Sequence, residues 1–158
     1  MSLSRRTVLL SVAALSACGF EPVYGERGSA SNLRGAVKLD DPATRNMFQL
    51  NEQLELRLGR AADPQYGLTV RLDISEEGLA ITGTNDIERY NVLGQADFVL
   101  REIATNKPVL SDRVSTFTAY SASEQPVATL AASRDARARL MVALADKIVS
   151  KMLIAGQL

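Results

Sequence analysis

The 158-residue sequence predicts an α+β fold. The expected architecture is a two-layer sandwich in the order β-α-β-β-β-α, with a mostly antiparallel four-stranded sheet covered on one face by two helices. Three observations carry this reading. Between Tyr66 and Tyr120 apolar and polar residues alternate with period two over long stretches, the pattern of half-buried antiparallel strands. Two other stretches repeat apolar residues every three or four positions, as amphipathic helices do. Polar segments with Gly or Pro separate them, and a chain of this length is normally one domain with a real core.

Taken in order, Leu33 to Leu39 alternates weakly and reads as a short first strand. Asp40-Asp41-Pro42 reads as a helix start, with a carboxylate for the free N–H groups and a proline in the first turn. Met47, Leu50, Leu54 and Leu58 then define one apolar face, and Gly59 is placed to end the helix. From Tyr66 the period changes. Leu68, Val70, Leu72 and Ile74 alternate with Thr69, Arg71, Asp73 and Ser75, and Glu76-Glu77-Gly78 reads as a break or turn before Leu79 to Thr82.

Glu88 to Ile103 alternates again. Tyr90, Val92, Ala96, Phe98 and Leu100 share one side, and Arg89, Asn91, Gln95, Asp97 and Arg101 the other. Ala104 to Pro108 is the turn of a hairpin whose return strand, about Val109 to Tyr120, is rich in Ser and Thr, so one sheet face is expected to be wet. After a polar loop, Val127 to Leu153 reads as one long helix without internal Gly or Pro. Its expected apolar side gathers Leu130, Leu140, Met141, Leu144, Ile148 and Met152.

Composition removes most of enzymology. There is no His, no Trp and a single Cys, with 18 basic and 18 acidic side chains and a pI near 6.3. Without histidine there is no Ser-His-Asp or Cys-His nucleophile system and no imidazole ligand for a metal. One cysteine cannot close an internal disulfide. A balanced charge gives no electrostatic reason to expect nucleic acid.

The paired acids Asp40-Asp41 and Glu76-Glu77 read as capping or solvated groups. Asp86, Glu88 and Asp97 lack the calcium-loop pattern, and the Gly pairs lack the Lys-Ser/Thr of a phosphate loop. Arg134 to Arg139 (RDARAR) reads first as a solvated helix face paired with Asp135. Its functional alternative is an edge for anions or a partner.

The lone cysteine is explained by what precedes it. Arg5 and Arg6 lead into the apolar Thr7 to Leu15, too short to span a bilayer, and Leu15-Ser16-Ala17-Cys18 follows. That tetrapeptide resembles a bacterial lipobox. The organisation expected is a signal peptide over 1–17, a lipidated linker over 18–32 and a single domain over 33–158. No cofactor is expected beyond the S-diacylglycerol and N-acyl groups on Cys18. The alternative is a cleaved secretory signal beside a free thiol, an oxidation liability outside the cytosol. Two or three acyl chains anchor durably where one does not. Gly19 stands where lipoproteins retained in the inner membrane usually carry Asp, which favours the outer membrane. Ser4 to Leu9 has some likeness to a twin-arginine export signal, so the export route is open.

Cys18-Gly19-Phe20-Glu21-Pro22-Val23-Tyr24-Gly25 resembles the Cys-Gly-Phe-x-Pro-Leu-Tyr-Gly opening of the LPS-assembly lipoprotein LptE family, alphaproteobacterial type. Arg89-Tyr90, the hairpin, Thr116 to Tyr120, Pro126 to Ala131 and Arg134 to Arg137 agree with it in order. The resemblance implies a non-enzymatic lipoprotein on the periplasmic side of the outer membrane. Such a protein plugs the lumen of the β-barrel LptD, helps it assemble and binds lipopolysaccharide.

Candidate contacts to lipopolysaccharide phosphates or to the barrel are Arg71, Arg89, Arg101, Lys107, Arg113 and Arg134. The chain departs from the family's best-characterised members at two places where they carry basic lipopolysaccharide-contacting residues. Here those places hold Thr82-Gly83-Thr84-Asn85 and Ala131-Ala132-Ser133. An adaptor or binding lipoprotein of another envelope complex is the alternative reading.

Overall fold

The computed structural model describes residues 33–81, 87–123 and 125–155. Within them the elements are β1 (Val37–Leu39), α1 (Arg45–Leu58), β2 (Tyr66–Ile81), β3 (Ile87–Glu102), β4 (Pro108–Ser121) and α2 (Pro126–Ala155), the order the sequence predicts. The signal peptide, the Cys18 lipobox, the linker to Asn32 and the Thr82–Asn85 stretch lie outside the described residues.

The strands run in the order β1-β2-β3-β4. The three long strands are antiparallel, and β1 is parallel to β2. A parallel neighbour needs a crossover rather than a hairpin, and α1 lies in that crossover. Strand register places Leu68, Leu100 and Leu110 in one row across the sheet, then Val70, Phe98 and Asp112, then Leu72, Ala96 and Val114. Because side chains alternate along a strand, all of these share the face that the helices cover. Leu68, Ala96 and Phe98 are at most 1% exposed there, packed with Leu50, Leu54 and Leu58 of α1 and Leu140, Leu144, Ile148 and Met152 of α2.

At Gly94 α2 approaches the sheet closely. A Cβ at that position would stand 2.9 Å from Leu140 Cδ2 and 3.1 Å from Leu144 Cδ1. Polar contacts then hold the two layers in one registration. Lys151 meets Asp112 at 2.8 Å and Arg137 meets Glu76 at 2.7 Å, while within the helix layer Arg57 of α1 meets Asp146 of α2 at 2.6 Å.

Three local expectations are corrected. The cap of α1 is Thr44, whose Oγ1 accepts the Met47 N–H at 3.2 Å. Asp40 and Asp41 precede it, because Asp40 is still bound to the sheet through its N–H on the Leu68 carbonyl at 3.3 Å. Glu76-Glu77-Gly78 is no turn. β2 runs through it to Ile81 with a register irregularity only between Gly78 and Ile81, since Glu76 faces the helix layer and has cationic Arg137 there. Leu130 is 51% exposed and Val127 81%, because the first turns of α2 overhang the sheet and burial begins at Ala136.

Candidate functional site

The odd-numbered residues of β2, β3 and β4 form the outward face of the sheet, which neither helix covers. Its rows read Thr69, Val99, Ser111; then Arg71, Asp97, Arg113; then Asp73, Gln95, Ser115; then Ser75, Leu93, Phe117. The second row alternates in charge. Arg113 donates from Nε to Asp97 Oδ1, and Arg71 stands opposite Asp97 on its other side. Hydrogen bonding to Asp97, and then its charge, raises the pKa of the Arg113 guanidinium above the ordinary arginine value. One carboxylate stands between two arginines in this row, and Asp73 in the next row balances the second, so the centre of the face carries alternating charge with no net excess.

Four of the six cations singled out in the sequence, Arg71, Arg89, Arg101 and Arg113, share this face. They do not converge on one point. Arg71 and Arg113 sit two strands apart, about 10 Å, whereas Arg89 and Arg101 are separated by twelve residues of strand, about 40 Å. Arg101 reaches the Asn106 carbonyl at 3.4 Å, which engages it with the hairpin turn. Lys107 stands exposed in that turn, where Asn106 adopts φ 56°. Arg134 stands exposed on the overhanging part of α2, in the other layer.

Of the RDARAR segment, two arginines have structural work. Arg137 binds Glu76, and Arg139 pairs with Asp135 and donates to the Ala119 carbonyl at 3.1 Å.

Strand periodicity also redistributes the hydroxyl groups. Thr116 and Thr118 of the Ser/Thr-rich return strand face the helices, and Thr118 donates to the Ala136 carbonyl at 2.8 Å. The outward face keeps Ser111 and Ser115, and it gains Phe117, 64% exposed, beside Leu93. Phe117 was absent from the sequence-derived candidates. Its parity with Ser111, Arg113 and Ser115 is the signal that places it outward.

At the end of the sandwich near Arg89, the rings of Tyr90 and Tyr120 stack at 5.2 Å and 11° on the helix side. The Tyr120 hydroxyl donates to Glu76 Oε2 at 3.3 Å. Burial, followed by the Glu76 charge, pushes the Tyr120 phenol above its ordinary pKa.

A cleft of about 540 Å³ lies between β1 and α1. Asp40, Asp41, Glu52 and Glu55 against Lys38 and Arg60 make it net acidic and unsuited to a phosphate. Among the described residues no group of three or more acidic or thiol side chains is placed to hold a metal ion, and no helix is long and apolar enough to cross a membrane. What this surface offers is spaced charge, hydroxyls and one exposed aromatic ring: a means of binding.

The family model for LptE, described as lipopolysaccharide-assembly, matches residues 35–152, spanning β1 to the last turns of α2. The chain belongs to the LptE family.

Solved structures agree on the fold. A Caulobacter crescentus CB15 chain assigned as a lipoprotein is similar at TM-score 0.68 and 24% identity, covering 84% of this chain and 98% of that one. The rare lipoprotein B of Shewanella oneidensis is similar at TM-score 0.55 and 15% identity, over 74% of this chain and 91% of that one. A minor lipoprotein of Acinetobacter baumannii gives TM-score 0.53 and 14% identity, over 75% and 88%. No curated protein matches the chain. LptE is thus a lipopolysaccharide-assembly lipoprotein family, and this member keeps its α+β sandwich intact.

Proposed function

We propose that this LptE-family chain is the lipoprotein partner of the LptD β-barrel, a plug and assembly aid that works in lipopolysaccharide export without catalysis. The family match over 35–152 carries the reading. The uncovered sheet face supports it physically. The interior of a large outer-membrane barrel is polar and wet, and a face made mostly of Arg, Asp, Ser, Thr and Gln suits it. Phe117 and Leu93 supply the apolar contact around which such an interface forms.

Cys18, acylated, would tether the domain to the periplasmic leaflet of the outer membrane. Arg71, Arg89, Arg101, Lys107, Arg113 and Arg134 are the candidate phosphate contacts. Their spacing suits separate contacts along an extended molecule better than a single phosphate pocket.

Affinity purification of a tagged full-length copy from detergent-solubilised membranes, paired with depletion, tests this. LptD co-purifying, with loss of surface lipopolysaccharide on depletion, is the expected result. A copy that elutes with a different envelope complex, or alone with surface lipopolysaccharide undisturbed, contradicts it. For direct contact, Arg89→Glu with Arg134→Glu should weaken lipopolysaccharide binding in vitro, and unchanged affinity would remove those two residues from the contact.

A further inference from the structure

One of the six cations singled out in the sequence, Arg113, belongs to a cluster that sequence spacing does not reveal. A cleft of about 420 Å³ opens along the seam between β4 and α2. Arg113 lines it from the strand, and Lys147 and Lys151, one turn apart on the helix, line it from the opposite wall.

The carboxylates around this cleft are already engaged. Asp146, the acid in its lining, accepts from Arg57 of α1 at 2.6 Å. Asp97 holds Arg113 from the open face, and Asp112 holds Lys151 at 2.8 Å. Lys147 is left over. Its ammonium donates to the Ser115 carbonyl at 2.9 Å and meets no carboxylate among the described residues.

The free edge of β4 shows what is missing beside it. Asp112 binds two donors at once, the Lys151 ammonium from the helix and the Arg113 backbone N–H from the strand edge, the latter at 2.7 Å. Two residues further along the strand, about 6.6 Å, stands Ser115, and four residues back along the antiparallel helix, about 6 Å, stands Lys147. The same pair of donors is thus repeated one step up the seam. The Ser115 carbonyl points away from β3 to meet Lys147, so the Ser115 N–H points the same way. Among the described residues no hydrogen bond reaches that N–H. Where Asp112 supplies the anion for the first pair, the second has Val114, which supplies none.

We infer that the seam binds a phosphate group carried by an acylated molecule, with the Ser115 N–H and Lys147 taking the anion. A phosphate has more acceptor oxygens than the two of a carboxylate, and the donors present can use them. The Ser115 hydroxyl, the remaining N–H groups of the Arg113 fork and those of Lys151 all border the same cleft. Ile154, 65% exposed at the end of the lining, gives the apolar part of the carrier a wall that a free ion would not use. Lipopolysaccharide and glycerophospholipids both present this chemistry, and the inference leans on the proposed export role only for which of them is the source.

The test follows the Ser115 amide by 15N NMR, with the full chain in non-ionic detergent. The probes are lipopolysaccharide, the same material stripped of phosphate with hydrofluoric acid, and dioleoyl phosphatidylglycerol. A saturating shift with lipopolysaccharide that the dephosphorylated material does not reproduce supports the site and names its source. The same shift with phosphatidylglycerol alone supports the site and moves the source to glycerophospholipid. Lys147→Glu should weaken the response roughly fivefold or more while circular dichroism is unchanged, and Lys147→Arg should retain it. No shift with either phosphate carrier overturns the inference. So does an equal shift with the dephosphorylated material, or a response indifferent to Lys147→Glu. No barrel is present in this measurement, so its failure and a failure of LptD to co-purify are read separately.

Discussion

Two phenylalanines on neighbouring strands show how differently the two faces of one sheet are made. Phe98 of β3 is 1% exposed under the helices, whereas Phe117 of β4 is 64% exposed on the other side. Neither local propensity nor hydrophobicity separates them. Parity does: Phe98 shares a row with Val70 and Asp112, and Phe117 shares one with Ser75 and Leu93. On the covered face, polar groups that reach the helix layer, such as Glu76, Asp112 and Thr118, have partners. On the open face one ion pair joins Arg113 to Asp97, while Arg71, Asp73 and Phe117 are left to solvent. One face is committed to the fold, and the other is available for binding.

The sharpest way to break that comparison is to truncate the two rings in turn. Phe98→Ala should cost about 3–5 kcal/mol by chemical denaturation, enough to unfold a marginal domain. Phe117→Ser should leave the denaturation midpoint unchanged while reducing recovery of the barrel partner in co-purification. Equal losses of stability at both positions would mean the faces are not distinct.

Next in size is Gly94→Val, which pushes a side chain into Leu140 and Leu144 and should cost about 1–3 kcal/mol. Thr44→Ala removes the cap of α1, a helix of the covering layer, and should cost about 1 kcal/mol in the same assay.

The smallest effect is one of pH. Lys151, by hydrogen bond, and then the Arg113 N–H hold the Asp112 carboxyl below its ordinary value. A carboxylate depressed in the folded state adds stability that is present above the unfolded value and lost as pH falls through the folded one. Wild type should therefore lose a little stability from about pH 4 downward. Asp112→Asn should flatten that part of the curve, and an unchanged acid limb would remove Asp112 from it.

Strand periodicity made most of the fold legible. The alternation of β3 from Arg89 to Leu100 separates the two faces residue by residue, and the spacing of Leu50, Leu54 and Leu58 gives the buried side of α1. Where the reading missed, the deciding partner was distant in sequence. Glu76 resembles a turn residue until Arg137, sixty-one positions on, neutralises it in mid-strand. Asp40-Asp41-Pro42 has the chemistry of a helix start, but the Leu68 carbonyl claims Asp40 for the sheet and Thr44 takes the cap. Leu130 has helical spacing yet stays half exposed, because burial along α2 begins only at Ala136. The parallel pairing of a three-residue β1 has no local signal at all.

The candidate cations were identifiable by type. That Arg71 and Arg113 flank one aspartate, while Arg89 and Arg101 stand at opposite ends, follows only from the register of three strands.

The proposal that this chain partners LptD, with the open sheet face turned to the barrel, is tested most directly by photo-crosslinking in cells from two positions. A photoreactive residue in place of Phe117, on the open face, should give a covalent adduct with the barrel. The same residue in place of Leu56, 72% exposed on α1, should give none. Adducts from Leu56 and none from Phe117 would contradict the claim.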